Sequence, residues 1–294
     1  MAISSDDRGE GQSGASFLAS LLASQKRAIE SVAAGADSLA RAAEAIAERL
    51  RAGGRLIYLG AGSSALIALQ DGAELPGTFG LERERIVFLV AGGLGNIADI
   101  DSAAEDDIAG AAADIARLGP LARDIVIAVS ASGSTPYTLA RAKAARDGGA
   151  LLVAFANRAA SPLLHIADHR ILLDSGPEAL HGSTRLAAGT AQKCALGVLS
   201  TLAHARLGHV YRGHMVNVRA ENDKLRKRAV HIVASIAAVD EDAAGSSLTH
   251  AKGDVKSAIL IAAGAGSRES AQTLIDEAGG HLGPALTRLR QGAA

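Results

Sequence analysis

The sequence predicts an α/β fold, a three-layer parallel sheet with flanking helices, followed by a small helical C-terminal domain. Between residues 56 and 173, short apolar runs alternate with segments of helical period. That is the pattern of parallel strands buried on both faces and joined by helical crossovers. Strand, small-residue loop and helix recur in that order at LIYLGAGSSA, at DIVIAVSASGSTP and more weakly at LLVAFANRAASP. From Ser183 onward only helical periods remain.

Residues 1–16, MAISSDDRGEGQSGAS, are polar and acidic and are expected to be disordered; they lack the basic-then-apolar order of a signal peptide. Leu18, Leu21, Leu22, Ile29 and Val32 then predict an amphipathic helix, interrupted at Gly35. Asp37 or Ser38 can cap a second helix carrying Leu39, Ala42, Ala43, Ile46 and Leu50, which Gly53 and Gly54 end. Strands follow at 56–59, 86–90, 125–129, 151–155 and 170–173, with helices at 103–118 and 135–146. Long helices are expected over 184–207 and 216–237, and three shorter ones beyond Asp240, separated by glycines. AILIAAGAG at 258–266 is read as helix because no partner strand lies nearby. The chain thus divides into residues 17–239, the sheet domain with its N-terminal helices, and residues 240–294, the helical domain.

The first strand runs into Gly60, Ala61 and Gly62, which let the backbone turn sharply and approach a ligand. Ser63 and Ser64 fall where a helix begins, so hydroxyls and unpaired N–H groups point at one place and favour an anion such as phosphate. Ser130, Ser132 and Ser134 repeat the theme ahead of a helix with Thr135 as N-cap and Pro136 at its first position. Taken singly, these serines are ordinary turn residues; two such loops opening on one edge of a parallel sheet point to a shared phosphate site. GAGSSA also fits the dinucleotide pattern G-x-G-x-x-A, but the next strand ends in Ala91-Gly92-Gly93 and not in an acid for the ribose. Glu74 closes the first helix beside Leu75-Pro76-Gly77, and Glu105 lies in AEDDIAG. Each reads either as an acid–base carboxyl or as a solvated helix-end charge. Asp71, one turn before Glu74, orients it or caps locally.

With 30 Lys+Arg, 31 Asp+Glu and only 2% aromatic residues, the chain offers neither a basic field nor stacking platforms for nucleic acid. The single Cys194, in the apolar run AQKCALGVLSTLA, excludes an internal disulfide and is expected to be a buried core thiol. Nine histidines form no HExxH, and His165 and His169 lack a third ligand, so no metal is expected. No stretch approaches the roughly 18 apolar residues of a membrane span. A soluble cytoplasmic protein is expected.

With Glu74, the serine loops and HGSTRLAAGTAQK in view, the sequence resembles the N-acetylmuramic acid 6-phosphate etherases of the sugar isomerase (SIS) superfamily. The likeness runs from about Ala40 to the end, through RLIYLGAGSS, DGAELPGTFG, AEDD, SASGSTPY, GSTRLAAGTAQK and AENDKLRKRAVHIV in order. It implies an SIS-type, flavodoxin-like sheet with a three-helix, ubiquitin-associated-like tail. It also implies a cytoplasmic homodimer without metal or cofactor that recycles peptidoglycan amino sugar. Such enzymes split the ether between the lactyl group and C3, giving N-acetylglucosamine 6-phosphate and D-lactate by elimination and then water addition. By the resemblance, Glu74 is the acid assisting lactate departure and Glu105 the base at C2. Ser63, Ser64, Ser130, Ser132, Ser134 and Thr135 would hold the 6-phosphate, with Glu178, Ser183 and Lys224 at the rim of the site.

The chain departs from the family pattern at three cations: Leu66 and Ser134 stand where arginines are usual, and Ala187 where a lysine is. The N-terminal Leu-Ser-Thr-Leu-Glu signature is also missing. Fewer cations face a substrate bearing both phosphate and carboxylate. Two other functions fit the same loops. One is a phosphosugar aldose–ketose isomerase, which uses a base at C2 and expels nothing. The other is a non-catalytic sugar-phosphate sensor similar to glucokinase regulatory protein.

Overall fold

Five apolar runs form one parallel sheet in a computed structural model that describes residues 14–95, 102–119, 121–220 and 222–292. The strands are β1 (Leu56–Gly60), β2 (Ile86–Val90), β3 (Ile125–Val129), β4 (Leu151–Ala156) and β5 (His169–Leu172). Their order is β2-β1-β3-β4-β5, all parallel. β1 and β3 are buried along their whole length, as their unbroken apolar sequences require, whereas the edge strand β2 is half-buried throughout. Winding reverses between β1 and β3, so the loops leaving these two strands emerge side by side.

Helices α1 (Gly14–Ala34) and α2 (Ala36–Arg51) meet at Gly35, as expected. The helix begins ahead of Phe17, since Gly14, Ala15 and Ser16 already belong to α1; residues 1–13 lie outside the described residues. α2 buries its apolar stripe, but α1 buries Ser24, Ala28, Ser31 and Val32 and leaves Leu18, Leu22 and Ile29 exposed. Next come α3 (Gly62–Phe79), α4 (Ala111–Ala116), α5 (Pro136–Asp147), α6 (Pro162–Ile166) and α7 (Ala187–Arg206).

Three expectations need correction. The helix over 103–118 is two pieces, a 3₁₀ turn at Ser102–Asp106 and the short α4, because Gly110 at φ +70° turns the chain between them. The helix over 216–237 begins only at α8 (Asp223–Ala237), where Asn222 caps it by accepting from Leu225 N at 2.9 Å. Its predicted first turns, 216–220, are irregular chain that buries Val216 and Val218, and a hairpin not expected from the sequence, β6 (Val210–Tyr211) and β7 (His214–Met215), precedes them. Cys194 is half-exposed, because α7 buries Ala191, Gln192, Ala195, Leu196 and Leu199 and turns residue 194 to the other side.

Beyond Asp240 the described residues form four helices and not the three expected: α9 (Glu241–His250), α10 (Val255–Leu260), α11 (Arg268–Glu277) and α12 (Leu282–Gly292). The reason is that each of three breaks at left-handed glycines, Gly253, Gly264 with Gly266, and Gly279 with Gly280, ends a helix. Residues 258–260 are helical as expected and continue into a π turn, Ile261–Ala265. Two compact units result, Met1–Gly72 with Glu84–Ser200, and Ala73–Arg83 with Thr201–Ala294. The second has its own core, which includes Val216, Ile232, Val233, Leu248, Ile259 and Leu282.

That core holds a lysine. Lys256 is buried on α10 and donates to the Gly280 carbonyl at 2.8 Å. Burial lowers its pKa to about 8, against the opposing pull of Asp254. Between about 8 and the ordinary value of 10.5, the unfolded chain therefore binds the proton that the folded chain has lost. Stability contributed here rises with pH across that window and is lost as pH falls through it. Urea unfolding of wild type against Lys256→Met is expected to show a difference that shifts in favour of wild type by on the order of 3 kcal/mol from pH 7 to pH 10.5.

Candidate active site

At the winding reversal, Gly60 of β1 is in register with Val129 of β3, and each strand feeds a serine-lined helix start. α3 opens at Gly62, which adopts φ +53°. Ser63 and Ser64 thus lie inside its first turn, Ser63 half-buried and Ser64 buried. The N–H groups of that turn lack intrahelical acceptors and are placed for an anion. A Cβ at Gly62 would stand 2.5 Å from Glu105 Oε1, so the carboxylate from the 3₁₀ turn lies directly against this loop. Glu105 is half-buried and makes no hydrogen bond or ion pair to any of the described residues.

The second loop is tied together by its own hydroxyls. Ser130 is buried; its Oγ accepts from Gly133 N at 3.0 Å and is hydrogen-bonded to Thr135 Oγ1 at 2.9 Å. Ser132 Oγ accepts from Ser134 N at 3.1 Å, and the Ser134 side chain is exposed. Thr135 occupies the N-cap position of α5, but its hydroxyl turns to Ser130 and not to the helix N–H groups. Without that side-chain cap, the start of α5 keeps donors for a ligand. The loop after β4 braces this one, with Asn157 N donating to Ala131 O and Leu163 N to Gly133 O, both at 3.0 Å.

Beside Ser132 a cavity of about 520 Å³ is lined by Asn157, Arg158, Asp174, Glu178 and His181, among others. Glu178 uses both oxygens to cap α7, accepting from Ala187 N at 2.8 Å and Ala188 N at 2.9 Å. The sequence reading placed it among ligand-binding residues; here its carboxylate is engaged by a helix start nine residues away. Ser183 is half-buried in the turn before α7, its N–H donating to Leu180 O at 3.0 Å. Asn157 fastens the strand ends by donating to Leu173 O at 2.8 Å and accepting from Gln192 at 3.0 Å. Asn157, Arg158 and His181 were not singled out from sequence. Their signal was position: Arg158 follows β4 in the weakest of the strand–loop–helix copies, and His181 opens HGSTRL.

Glu74 and Lys224 belong to the second compact unit, and both are exposed, Glu74 near the end of α3 and Lys224 in the first turn of α8. Asp71 does not cap: it is buried, with Tyr58 donating to it at 2.7 Å and Ser200 at 3.0 Å. Burial and the neighbouring Asp71 carboxylate push the Tyr58 pKa well up. Among the described residues, no three His, Cys, Asp or Glu side chains gather as a metal ion would need.

The SIS domain family matches residues 17–157, which carry β1 to β4 and both serine loops, so this parallel sheet is that of an SIS-domain protein. An N-acetylmuramic acid 6-phosphate etherase from Deinococcus radiodurans is 44% identical over 90% of this chain and 87% of its own. Another from Streptomyces avermitilis is 44% identical over 87% of this chain and 82% of its own. The chain belongs to the N-acetylmuramic acid 6-phosphate etherase family. Among solved structures, a phosphoheptose isomerase from Francisella tularensis is 22% identical, covering 66% of this chain and 98% of that one, with a TM-score of 0.48.

Proposed function

We propose that this protein is a carbon–oxygen lyase that cleaves the lactyl ether of N-acetylmuramic acid 6-phosphate to N-acetylglucosamine 6-phosphate and D-lactate. The observation that carries this reading is the Glu105 carboxylate lying against the first serine loop with no protein partner among the described residues. A phosphate held by the N–H groups and hydroxyls at the starts of α3 and α5 leaves the sugar carbons within reach of that carboxylate. Ring opening exposes an aldehyde, which makes the C2 proton removable; Glu105 takes it. The lactyl oxygen leaves C3 with a proton from Glu74, and water adds to the alkene. Ser63, Ser64, Ser130, Ser132, Ser134 and Thr135 bind the phosphate, and Ser183 and Lys224 contribute at the rim. Glu178 supports the site by fixing the start of α7.

Leu66, Ser134 and Ala187 bring no charge, and Arg158 and His181 in the cavity beside Ser132 supply polar partners for an anionic substrate in their place. The helices beyond Asp240 share one core with α8 and together with it make up the small C-terminal domain. A cytoplasmic homodimer accords with the exposed Leu18, Leu22 and Ile29 of α1 and with the family. No helix among the described residues is long and apolar enough to cross a membrane.

Incubation with N-acetylmuramic acid 6-phosphate is expected to release D-lactate, and Glu74→Gln to abolish release while phosphate-dependent binding persists. Solvent deuterium entering C2 without lactate would indicate an isomerase. Binding without any turnover in the wild type would indicate a sensor.

A further inference from the structure

We propose that Arg141 is a positioning residue for Glu105, holding the 3₁₀ turn that carries this carboxylate against the first serine loop. The proposal rests on reading Glu105 as the base. Arg141 projects from α5 and is only 3% exposed. Its Nη1 donates to the Asp107 carbonyl at 2.9 Å, and its Nη2 to the Ala109 carbonyl at 3.3 Å. Nε donates to Asp114 Oδ2 at 2.8 Å, Nη2 approaches the same oxygen at 2.5 Å, and Asp107 Oδ2 lies at 3.4 Å. The guanidinium lies over the Tyr137 ring, 3.8 Å from its centroid.

These contacts fall on the chain just after the turn Ser102–Asp106. Residues 107–110 form no helix or strand, and Gly110 reverses the chain into α4, so local structure alone does not fix where Glu105 points. One buried fork with two carbonyls and two carboxylates on it does. Burying a guanidinium is costly unless its N–H groups are used, and here each of its three nitrogens donates. A lysine could not span the same acceptors, because it lacks the planar fork.

The helix supplying this clamp is also the one whose start holds phosphate donors. Arg141 is six residues beyond Thr135, about 9 Å along the axis of α5. α5 therefore sets the separation between the phosphate end of the substrate and the base that works on C2. Misplacing a catalytic group by about 1 Å can cost on the order of 10²-fold in rate. Phosphate affinity, which depends on the serine loops, is untouched by such a shift.

The test is Arg141→Lys, read by kcat and KM for D-lactate release, by solvent-deuterium exchange at C2, and by Tm. The expected result is a kcat lower by about 10- to 100-fold, a KM within about threefold of wild type, and C2 exchange falling in step with lactate. Arg55→Gln is the control for mere destabilisation. Arg55 binds the buried Asp124 at 3.0 Å and the Leu118 carbonyl at 2.9 Å, at the starts of β1 and β3, the strand ends away from the serine loops. Its loss is expected to lower Tm and leave kcat intact. Should Arg141→Lys not fold, Asp114→Asn removes the charge of the principal partner and is expected to lower kcat with the same KM pattern. The proposal is overturned if kcat is unchanged, if KM rises instead, or if Arg55→Gln loses as much kcat at equal Tm. Glu105→Gln separates the two readings. If it retains lactate release, the base assignment falls and the role of Arg141 with it; if it abolishes release while Arg141→Lys keeps wild-type kcat, only the latter falls.

Discussion

Glu105→Gln is expected to lower D-lactate release by about 10²- to 10⁴-fold, the usual contribution of a positioned general base, while the phosphosugar still binds. The amide keeps the shape of the side chain and its place beside Gly62, but it cannot accept the C2 proton. Exchange of that proton with solvent should vanish together with lactate. A companion change acts through space alone. Gly62→Ala puts a methyl 2.5 Å from Glu105 Oε1 at a residue with φ +53°, so either the loop or the carboxylate must move. Its loss of kcat should approach that of Glu105→Gln, with a weakening of phosphate binding that Glu105→Gln does not show. Lactate kinetics and titration with the product sugar phosphate measure both effects. Full activity in Glu105→Gln would remove the carboxylate from the mechanism.

Asp71→Ala is expected to destabilise the first compact unit by about 2–4 kcal/mol, the cost of losing two hydrogen bonds to a buried carboxylate and of the cavity left in its place. Asp71 is 4% exposed, and Tyr58 and Ser200, which donate to it, are 1% and 9% exposed. Its two oxygens join β1, α3 and α7, three elements far apart in sequence. Tyr58→Phe removes one donor and should cost less, about 1.5–3 kcal/mol. A double-mutant cycle should then show strong coupling, because the two single changes break one shared contact. The raised Tyr58 pKa adds a pH signature. The folded state resists losing that proton, so stability should fall above the ordinary tyrosine pKa near 10 in wild type and less steeply in Tyr58→Phe. Denaturant unfolding at pH 8 and pH 11 reads the difference. An additive cycle would mean that these residues do not act as one network.

The strands and both serine loops were legible because each depends on residues adjacent in the chain. An unbroken apolar run such as IVIAV can only be a buried strand or a buried helix, and flanking glycines and serines decide which. Glu74 and Glu105 were singled out by the order of several sequence blocks; nothing local separates either from an ordinary helix-end acid. The break at Gly110 was written in the sequence but masked by the alanines on either side, which favour helix. Thr135 has the ideal identity for an N-cap, and only the proximity of Ser130 redirects its hydroxyl.

By itself the amino-acid sequence determined the alternation of strand and helix, the two small-residue loops, the exclusion of a disulfide and the family. Tertiary structure decided which acidic side chains are spent on the fold. Asp71, Asp114 and Glu178 are taken up by Tyr58 and Ser200, by Arg141, and by the start of α7, whereas Glu105 faces Gly62 with no such partner among the described residues. The physical reason is that a carboxylate's role depends on which donors reach it. In a parallel sheet those donors arrive from strands and helices that the winding order, not the neighbouring residues, brings together.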